Sequence, residues 1–313
     1  MTDLESHTFL ARLTAVAAET EGLLDRLLSS DPAWNETARP KRLLDAMRYA
    51  TLGGGKRLRP FLVVETAALF GVAREQALMT GAALECVHCY SLVHDDLPAM
   101  DDDALRRGRP TAHKAFDEAT AILAGDGLLT FAFDLLARTE THPDPGVRIR
   151  LVLELARASG IGGMAGGQML DLAAEGRFAP GQAAKAQTES DVATLDLMKT
   201  GALLRFATRA GAILGQAPDS DLDALDRYGR TIGQAFQIAD DLLDVEGDPT
   251  TTGKATGKDQ AAGKATLVSI VGVAEAKARL AELVDQAQAA LDGFKADTGV
   301  LRATARYIAD RQA

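Results

Sequence analysis

Five carboxylates crowd into nine residues of the stretch His94-Asp95-Asp96-Leu97-Pro98-Ala99-Met100-Asp101-Asp102-Asp103. A second cluster, Gln237-Ile238-Ala239-Asp240-Asp241-Leu242-Leu243-Asp244, follows about 145 residues later in the numbering. Concentrated like charge opposes compaction and raises carboxyl pKa values unless a cation shares the site. Apolar residues flank both clusters, so a solvated acidic loop is the weaker reading of the pair. Acids in that setting suit hard divalent cations, which prefer oxygen donors. On a regular helix Asp240 and Asp244 stand about 40° apart on one face, with Gln237 a turn earlier. His88 precedes Asp95 by two turns on nearly the same line. Away from the acids it would be an ordinary core histidine.

Basic groups of the right type accompany the acids. Gly53-Gly54-Gly55 leads into Lys56-Arg57-Leu58-Arg59-Pro60. There glycine lets backbone approach an anion, while Lys and Arg supply charge-assisted donors. The nucleotide P-loop is excluded, because Arg57 stands where Ser or Thr is required. Arg106, Arg107 and Arg109, with His113 and Lys114, adjoin the first acids either as ion-pair partners or as a grip on phosphate oxygens. Lys199-Thr200 interrupts an otherwise apolar helical run, where a lysine is costly unless an anion meets it. The Gly/Lys/Thr-rich connection from Gly253 to Thr266, with Lys254 and Lys264, reads as a mobile basic lid or a plain linker. Cys86 and Cys89 form a C-x-x-C in mid-helix with no further thiolates, so they are packing residues rather than a zinc or redox centre.

The elements that must position these groups read as helices. Leu4, Leu10, Leu13, Val16, Leu23, Leu24, Leu27 and Leu28 recur at three- and four-residue spacings, and Ser29-Ser30-Asp31-Pro32 stops that helix. A second helix covers 41–51, a third follows Pro60 to Phe70, and a fourth runs from 75 into the first acids. Pro98 disfavours regular helix beyond Asp96. Further helices are expected at 115–139, 147–160, 161–175, 180–187, 189–214, 219–246, 274–291 and 298–311. No period-2 run supports a sheet. The glycines of Gly160-Ile161-Gly162-Gly163-Met164-Ala165-Gly166-Gly167 each cost roughly 1 kcal/mol in a helix relative to Ala, which points to close approach of another helix or a ligand.

The 313 residues are 47% hydrophobic and only 5% aromatic, a composition that favours helix packing. None of the joints is a long Pro/Ser/Gly linker, so 1–313 reads as one all-α domain. The net charge of −10 argues against nucleic acid as the main partner. The start Met1-Thr2-Asp3-Leu4-Glu5 has neither a basic nor an apolar signal-like run, so secretion is not expected, and the most apolar stretches are broken by Glu65 and Asp126. A cytoplasmic protein without a transmembrane segment is expected.

Taken together, Asp95-Asp96-x4-Asp101 and Asp240-Asp241-x2-Asp244 resemble the two aspartate-rich motifs of trans-isoprenyl diphosphate synthases. Gly54-Gly55-Lys56-Arg57-x-Arg59-Pro60, Arg106-Arg107-Gly108, Gly166-Gly167-Gln168, Lys199-Thr200 and Gln237 are similar to that family too, in the expected order. The resemblance implies a bundle of about 10–13 mostly antiparallel helices around a deep central cavity, and a homodimer. It implies isopentenyl diphosphate binding by Lys56, Arg59, His88 and Arg107, and allylic diphosphate contacts from Arg106, Lys199, Thr200, Gln237, Lys254 and Lys264. Asp95, Asp101, Asp240 and Asp244 would hold Mg²⁺, with three ions per site. Asp95, Asp101, Arg106, Lys199, Asp240 and Lys254 would carry the ionisation chemistry. An unbroken helix would align Asp102, not Asp101, with Asp95; the family pattern selects Asp101. Asp102 and Asp103 are expected to pair with nearby basic groups.

Product length should depend on the side chains below Asp95, namely Ser91, Tyr90 and then Val87. In that family a bulky aromatic five positions before the first Asp stops growth at fifteen carbons, and Tyr90 stands at that position, so the resemblance implies a fifteen-carbon product. A geranylgeranyl diphosphate synthase is the alternative, and a non-catalytic helical subunit of a heteromeric synthase is a further one. A terpene cyclase has no need of the second diphosphate site at Lys56, Arg59 and Arg107. Leu267, where many relatives carry an aromatic, and the non-basic ending Arg311-Gln312-Ala313 depart from the family pattern.

Overall fold

A computed structural model describes residues 3–178, 187–246 and 265–310. The expected helix at 180–187 therefore lies almost wholly outside the described residues. The chain opens with α1 (Asp3–Leu27), α2 (Lys41–Thr51), α3 (Leu58–Ala68) and α4 (Arg74–Asp95). Leu13, Val16, Leu24 and Leu28 are buried along one face of α1 and its end, as the spacing predicts, whereas Leu10 is exposed and its neighbour Phe9 is buried in its place. Pro60 sits in the first turn of α3, where its missing N–H costs nothing.

A two-residue hairpin follows, with β1 (Leu105–Arg106) paired antiparallel to β2 (Arg109–Pro110). The sequence reading assigned no sheet. Four paired residues are too few to show a period-2 pattern, and Gly108 at φ 73 with Arg107 at φ 52 makes the reversal. Then come α5 (Ala112–Ala115), α6 (Glu118–Ala137), α7 (Pro145–Ser159) and α8 (Met164–Ala174). Asp117 splits the helix expected at 115–139 by capping α6, its carboxylate accepting from the Thr120 N–H at 2.7 Å. Glycine delays the helix expected at 161–175 until Met164.

The third stretch is one continuous rod. α9 (Glu189–Asp196) passes into a π-helical turn at Leu197–Gly201 and on into α10 (Ala202–Leu214). α11 (Asp219–Glu246), α12 (Leu267–Val271), α13 (Val273–Ala289) and α14 (Gly299–Ala309) complete the described chain. Among the described residues the fold is all-α apart from the small hairpin.

α4, α3, α10 and α11 pack in succession, and α6 lies along the other side of α4. Their shared core includes Phe61, Leu84, Val87, Leu128, Phe206 and Tyr228. α6 is long and apolar enough to cross a membrane by length and composition, a feature the sequence reading discounted because of Asp126. Its Ala121, Ala124, Leu128, Ala132, Leu135 and Leu136 are buried against the rest of the fold instead. Cys86 and Cys89 are buried and unpaired, and burial pushes the Cys89 thiol up to about 12, as suits packing residues.

Candidate active site

α4 delivers the first acid motif and stops where Pro98 requires, at Asp95. The chain then doubles back, the Asp101 N–H bonding to the Asp95 carbonyl at 2.9 Å and the Asp102 N–H to the Leu97 carbonyl at 3.1 Å. This reversal, and not helical periodicity, sets Asp101 beside Asp95. Asp102 sits at φ 49 and turns towards His113 and Lys114, at 3.9 and 3.7 Å. Asp103 approaches Arg106 at 3.9 Å. Both thus meet basic groups, as expected. Asp96 is 3% exposed and pairs with Arg106 at 2.6 Å, so it serves as that arginine's counter-ion.

Burial pushes the Asp95 carboxyl up to about 6, the like charges of Asp101 and Asp171 adding to the shift while Lys199 and Arg106 oppose it. Charged Asp95 is thus unfavourable in this fold without a cation. All the candidate ligands are carboxylate oxygens, a donor set that fits Mg²⁺. Among the described residues no three His, Cys, Asp or Glu side chains gather into a ready cage. Mg²⁺ characteristically takes one or two carboxylates and completes its shell with water and phosphate oxygens.

The cationic wall comes from the π turn. Lys199 Nζ donates to Asp171 Oδ2 at 2.5 Å, and Asp171 is 5% exposed. The anion that a half-buried lysine requires is therefore a carboxylate on α8. Thr200 Oγ1 donates to Gln237 Oε1 at 3.1 Å, and Gln237 Nε2 donates to Asp241 Oδ1 at 2.9 Å. A polar chain thus runs from the turn into the second acid motif. Asp240 is exposed and Asp244 half-buried on α11, which is regular through Glu246.

Glycine makes this close packing possible. A Cβ on Gly167 would lie 2.2 Å from the Lys199 backbone nitrogen, and one on Gly233 would lie 3.0 Å from Gly201 Cα. The wide turn is therefore held between α8 and α11. Gly167→Ala is expected to displace the Lys199 backbone and cut kcat on the order of 100-fold, because misplacement by about 1 Å costs that much. Steady-state kinetics beside a melting curve will check it: a fully active Gly167→Ala protein contradicts the packing argument.

A second basic group gathers around the Gly53-Gly54-Gly55 loop. Arg57 takes a left-handed conformation, φ 48, and turns inward to Glu85 at 2.6 Å. Lys56 is exposed and lies over the Tyr307 ring of α14, 5.5 Å from its centroid. Arg107 donates to the Gly54 carbonyl at 2.5 Å. The partly buried His88 ring is held well below the usual histidine range, first by burial and then by Arg59, Arg107, Arg57 and Arg106. It is neutral at pH 7. Arg109 stacks on Tyr49 at 4.2 Å, and a pocket opens beside it, lined by Gly53, Asp96, Arg106 and Arg107 among others.

Along α4, Ser91 Oγ donates to the His88 carbonyl at 2.8 Å, and Tyr90 meets His94 edge-on at 5.8 Å. Val87 is fully buried. Lys254 and Lys264, with most of the expected lid, lie outside the described residues.

Residues 40–297 match the family described as Polyprenyl synthetase. The chain belongs to that family. It is 44% identical over 308 residues to the farnesyl diphosphate synthase of Escherichia coli (strain K12), covering 97% of this chain and 99% of that one. The Cyanophora paradoxa geranylgeranyl diphosphate synthase is 38% identical over 302 residues, covering 96% of each. The crystal structure of an FPP/GFPP synthase from Zymomonas mobilis superposes with a TM-score of 0.84 at 44% identity, over 96% of this chain and 99% of that one.

Against this polyprenyl synthetase frame, the sequence reading missed the supporting carboxylates. It gave no role to Asp171 as the partner of Lys199, or to Asp241 as the partner of Gln237. Gln168, beside Gly167, has an enclosed side-chain nitrogen with no acceptor in the described structure. Only the apolar context of Asp171 and Asp241 hinted that they were buried.

Proposed function

We propose that this chain is a prenyltransferase that condenses dimethylallyl and geranyl diphosphates head-to-tail with isopentenyl diphosphate, ending at farnesyl diphosphate. The observation that carries the reading is the meeting of Asp95 with Asp101, Lys199 and Arg106, and the link from Lys199's turn through Thr200 and Gln237 to Asp241 of the second acid motif. Relatives matching almost the whole chain include a farnesyl diphosphate synthase, which supports the fifteen-carbon product.

Asp95, Asp101, Asp240 and Asp244 would hold magnesium, which when bound neutralises the diphosphate leaving group. Lys199 and Arg106, each already held by a buried carboxylate, offer fixed donors where negative charge develops on pyrophosphate. Lys56, Arg59, Arg107 and the neutral His88 form a separate anion-binding group for isopentenyl diphosphate. The allylic C–O bond breaks with its electron pair leaving on pyrophosphate, the isopentenyl double bond attacks the allylic carbon, and a proton is lost to pyrophosphate. Apolar walls around the reacting carbons keep water from the cation.

A homodimer fits the exposed apolar side chains Ile122 and Leu123 on α6 and Ile149 and Leu153 on α7. Free, buried Cys86 and Cys89 accord with the reducing cytoplasm.

The test is incubation of the purified chain alone with Mg²⁺, dimethylallyl diphosphate and isopentenyl diphosphate, with chromatography of the products. Farnesyl diphosphate is expected; no turnover would leave the non-catalytic subunit, and a twenty-carbon product the geranylgeranyl alternative. Tyr90→Ala is expected to shift products beyond fifteen carbons. If that variant still stops at fifteen, Tyr90 does not form the floor.

A further inference from the structure

Arg177 lies just beyond α8, 77 residues along the chain from Met100. Its Nη1 donates to the Ala99 carbonyl at 3.1 Å and its Nη2 to the Met100 carbonyl at 2.5 Å. Nε is paired with Glu175 at 2.7 Å, which fixes the plane of the guanidinium. The two carbonyls stand at the crest of the turn that brings Asp101 back to Asp95. Pro98, Ala99, Asp101 and Asp102 are exposed, and the apolar hold on this crest is Met100 alone, which packs against the small cluster of Val93, Leu97, Ala112 and Ala121. The far end of the turn is anchored separately, with Thr111 Oγ1 donating to the Asp103 carbonyl at 2.7 Å.

We propose that Arg177 is a positioning residue that holds Asp101 beside Asp95 by clamping the Ala99 and Met100 carbonyls. The proposal rests on the reading of Asp95 and Asp101 as the metal-holding pair. It gives α8 and the turn after it a single office. Gly167 admits the π turn, Asp171 holds Lys199, and Arg177 holds the acid loop, so one element registers the cationic wall against the acidic one. Arginine suits the task because its planar fork meets two neighbouring carbonyls at once, whereas an ammonium is a point donor on a flexible stem.

The test compares the full-length wild type with Arg177→Ala, Arg177→Lys and Asp101→Asn. Four readouts are taken: Mn²⁺ binding in the presence of inorganic pyrophosphate, hydrogen exchange across residues 98–103, KM for isopentenyl diphosphate, and melting temperature. Arg177→Ala is expected to bind Mn²⁺ roughly tenfold more weakly, the cost typical of losing a group that orients a metal ligand. Exchange should quicken across 98–103 but not in α11, KM for isopentenyl diphosphate should hold, and melting should change little. Arg177→Lys should fall between. Wild-type Mn²⁺ binding and exchange in Arg177→Ala, with Asp101→Asn deficient, would overturn the clamp alone. A drop in melting temperature with quickened exchange throughout the protein would also overturn it, because Arg177 would then be a general staple. Wild-type Mn²⁺ binding in Asp101→Asn would instead overturn the reading of Asp101 as a ligand, and with it the clamp's service to the metal.

Discussion

Asp95→Asn is expected to cut kcat by at least about 10²–10³-fold while leaving the metal-free protein as stable as the wild type or more so. Burial raises the Asp95 carboxyl to about 6, with Asp101 and Asp171 adding like charge. A folded-state value above the unfolded one means that the folded protein binds this proton more tightly. Charging Asp95 therefore costs nothing well below pH 4, costs progressively more as pH rises towards 6, and costs its full amount above that. A gap of about two pKa units corresponds to about 3 kcal/mol. Asparagine removes that cost, so in EDTA the variant should melt a few degrees higher than the wild type at pH 8 and almost level with it at pH 4. Magnesium with pyrophosphate should raise the melting temperature of the wild type and leave the variant nearly unmoved. A large loss of melting temperature at pH 8 without metal would mean that Asp95 is structural.

Glu85→Ala should be among the most destabilising single changes in the chain. Arg57 and Glu85 pair at 2.6 Å with side chains 1% and 2% exposed, and Arg57 donates also to the Thr51 carbonyl. Removing one partner of such a pair strands a buried charge and costs about 3–5 kcal/mol. For a chain of this size that is a fall in melting temperature of roughly 10 °C. Replacing both partners with apolar residues, as in Arg57→Met with Glu85→Leu, should recover much of the loss, because the desolvation cost of both charges disappears. The pair also joins the Gly53-Gly54-Gly55 loop to α4, so Glu85→Ala should raise KM for isopentenyl diphosphate through Lys56 and Arg59. Urea unfolding of the single and double variants checks the argument. A loss below about 1 kcal/mol in Glu85→Ala would refute it.

What the sequence revealed and what it hid follow from range. Signals between residues a few positions apart were legible: the apolar spacing of α1, the stop at Pro98, the helical start at Pro60, and the two acid clusters. The cost of Gly167 was legible too, although its partner, the Lys199 backbone, was not. Long-range polar pairings were invisible, because Asp171 with Lys199, Arg57 with Glu85 and Arg177 with Ala99 are joined only by tertiary packing. Helical arithmetic favoured Asp102 over Asp101 as the neighbour of Asp95, and the chain reversal after Pro98 is the physical reason that it misled. The π turn escaped because Lys199-Thr200 has the local pattern of ordinary helix. The room for it comes from Gly167 and Gly233 on two other helices.

The central claim is that the two acid motifs act together, through magnesium, on one diphosphate. Calorimetric titration of the purified chain with a non-ionisable allylic diphosphate analogue tests it most directly, in wild type, Asp95→Asn and Asp240→Asn, with Mg²⁺ and with EDTA. Tight binding is predicted only for the wild type with Mg²⁺, with either substitution alone removing most of it. Binding that survives EDTA, or that is lost in one variant and intact in the other, would contradict the claim.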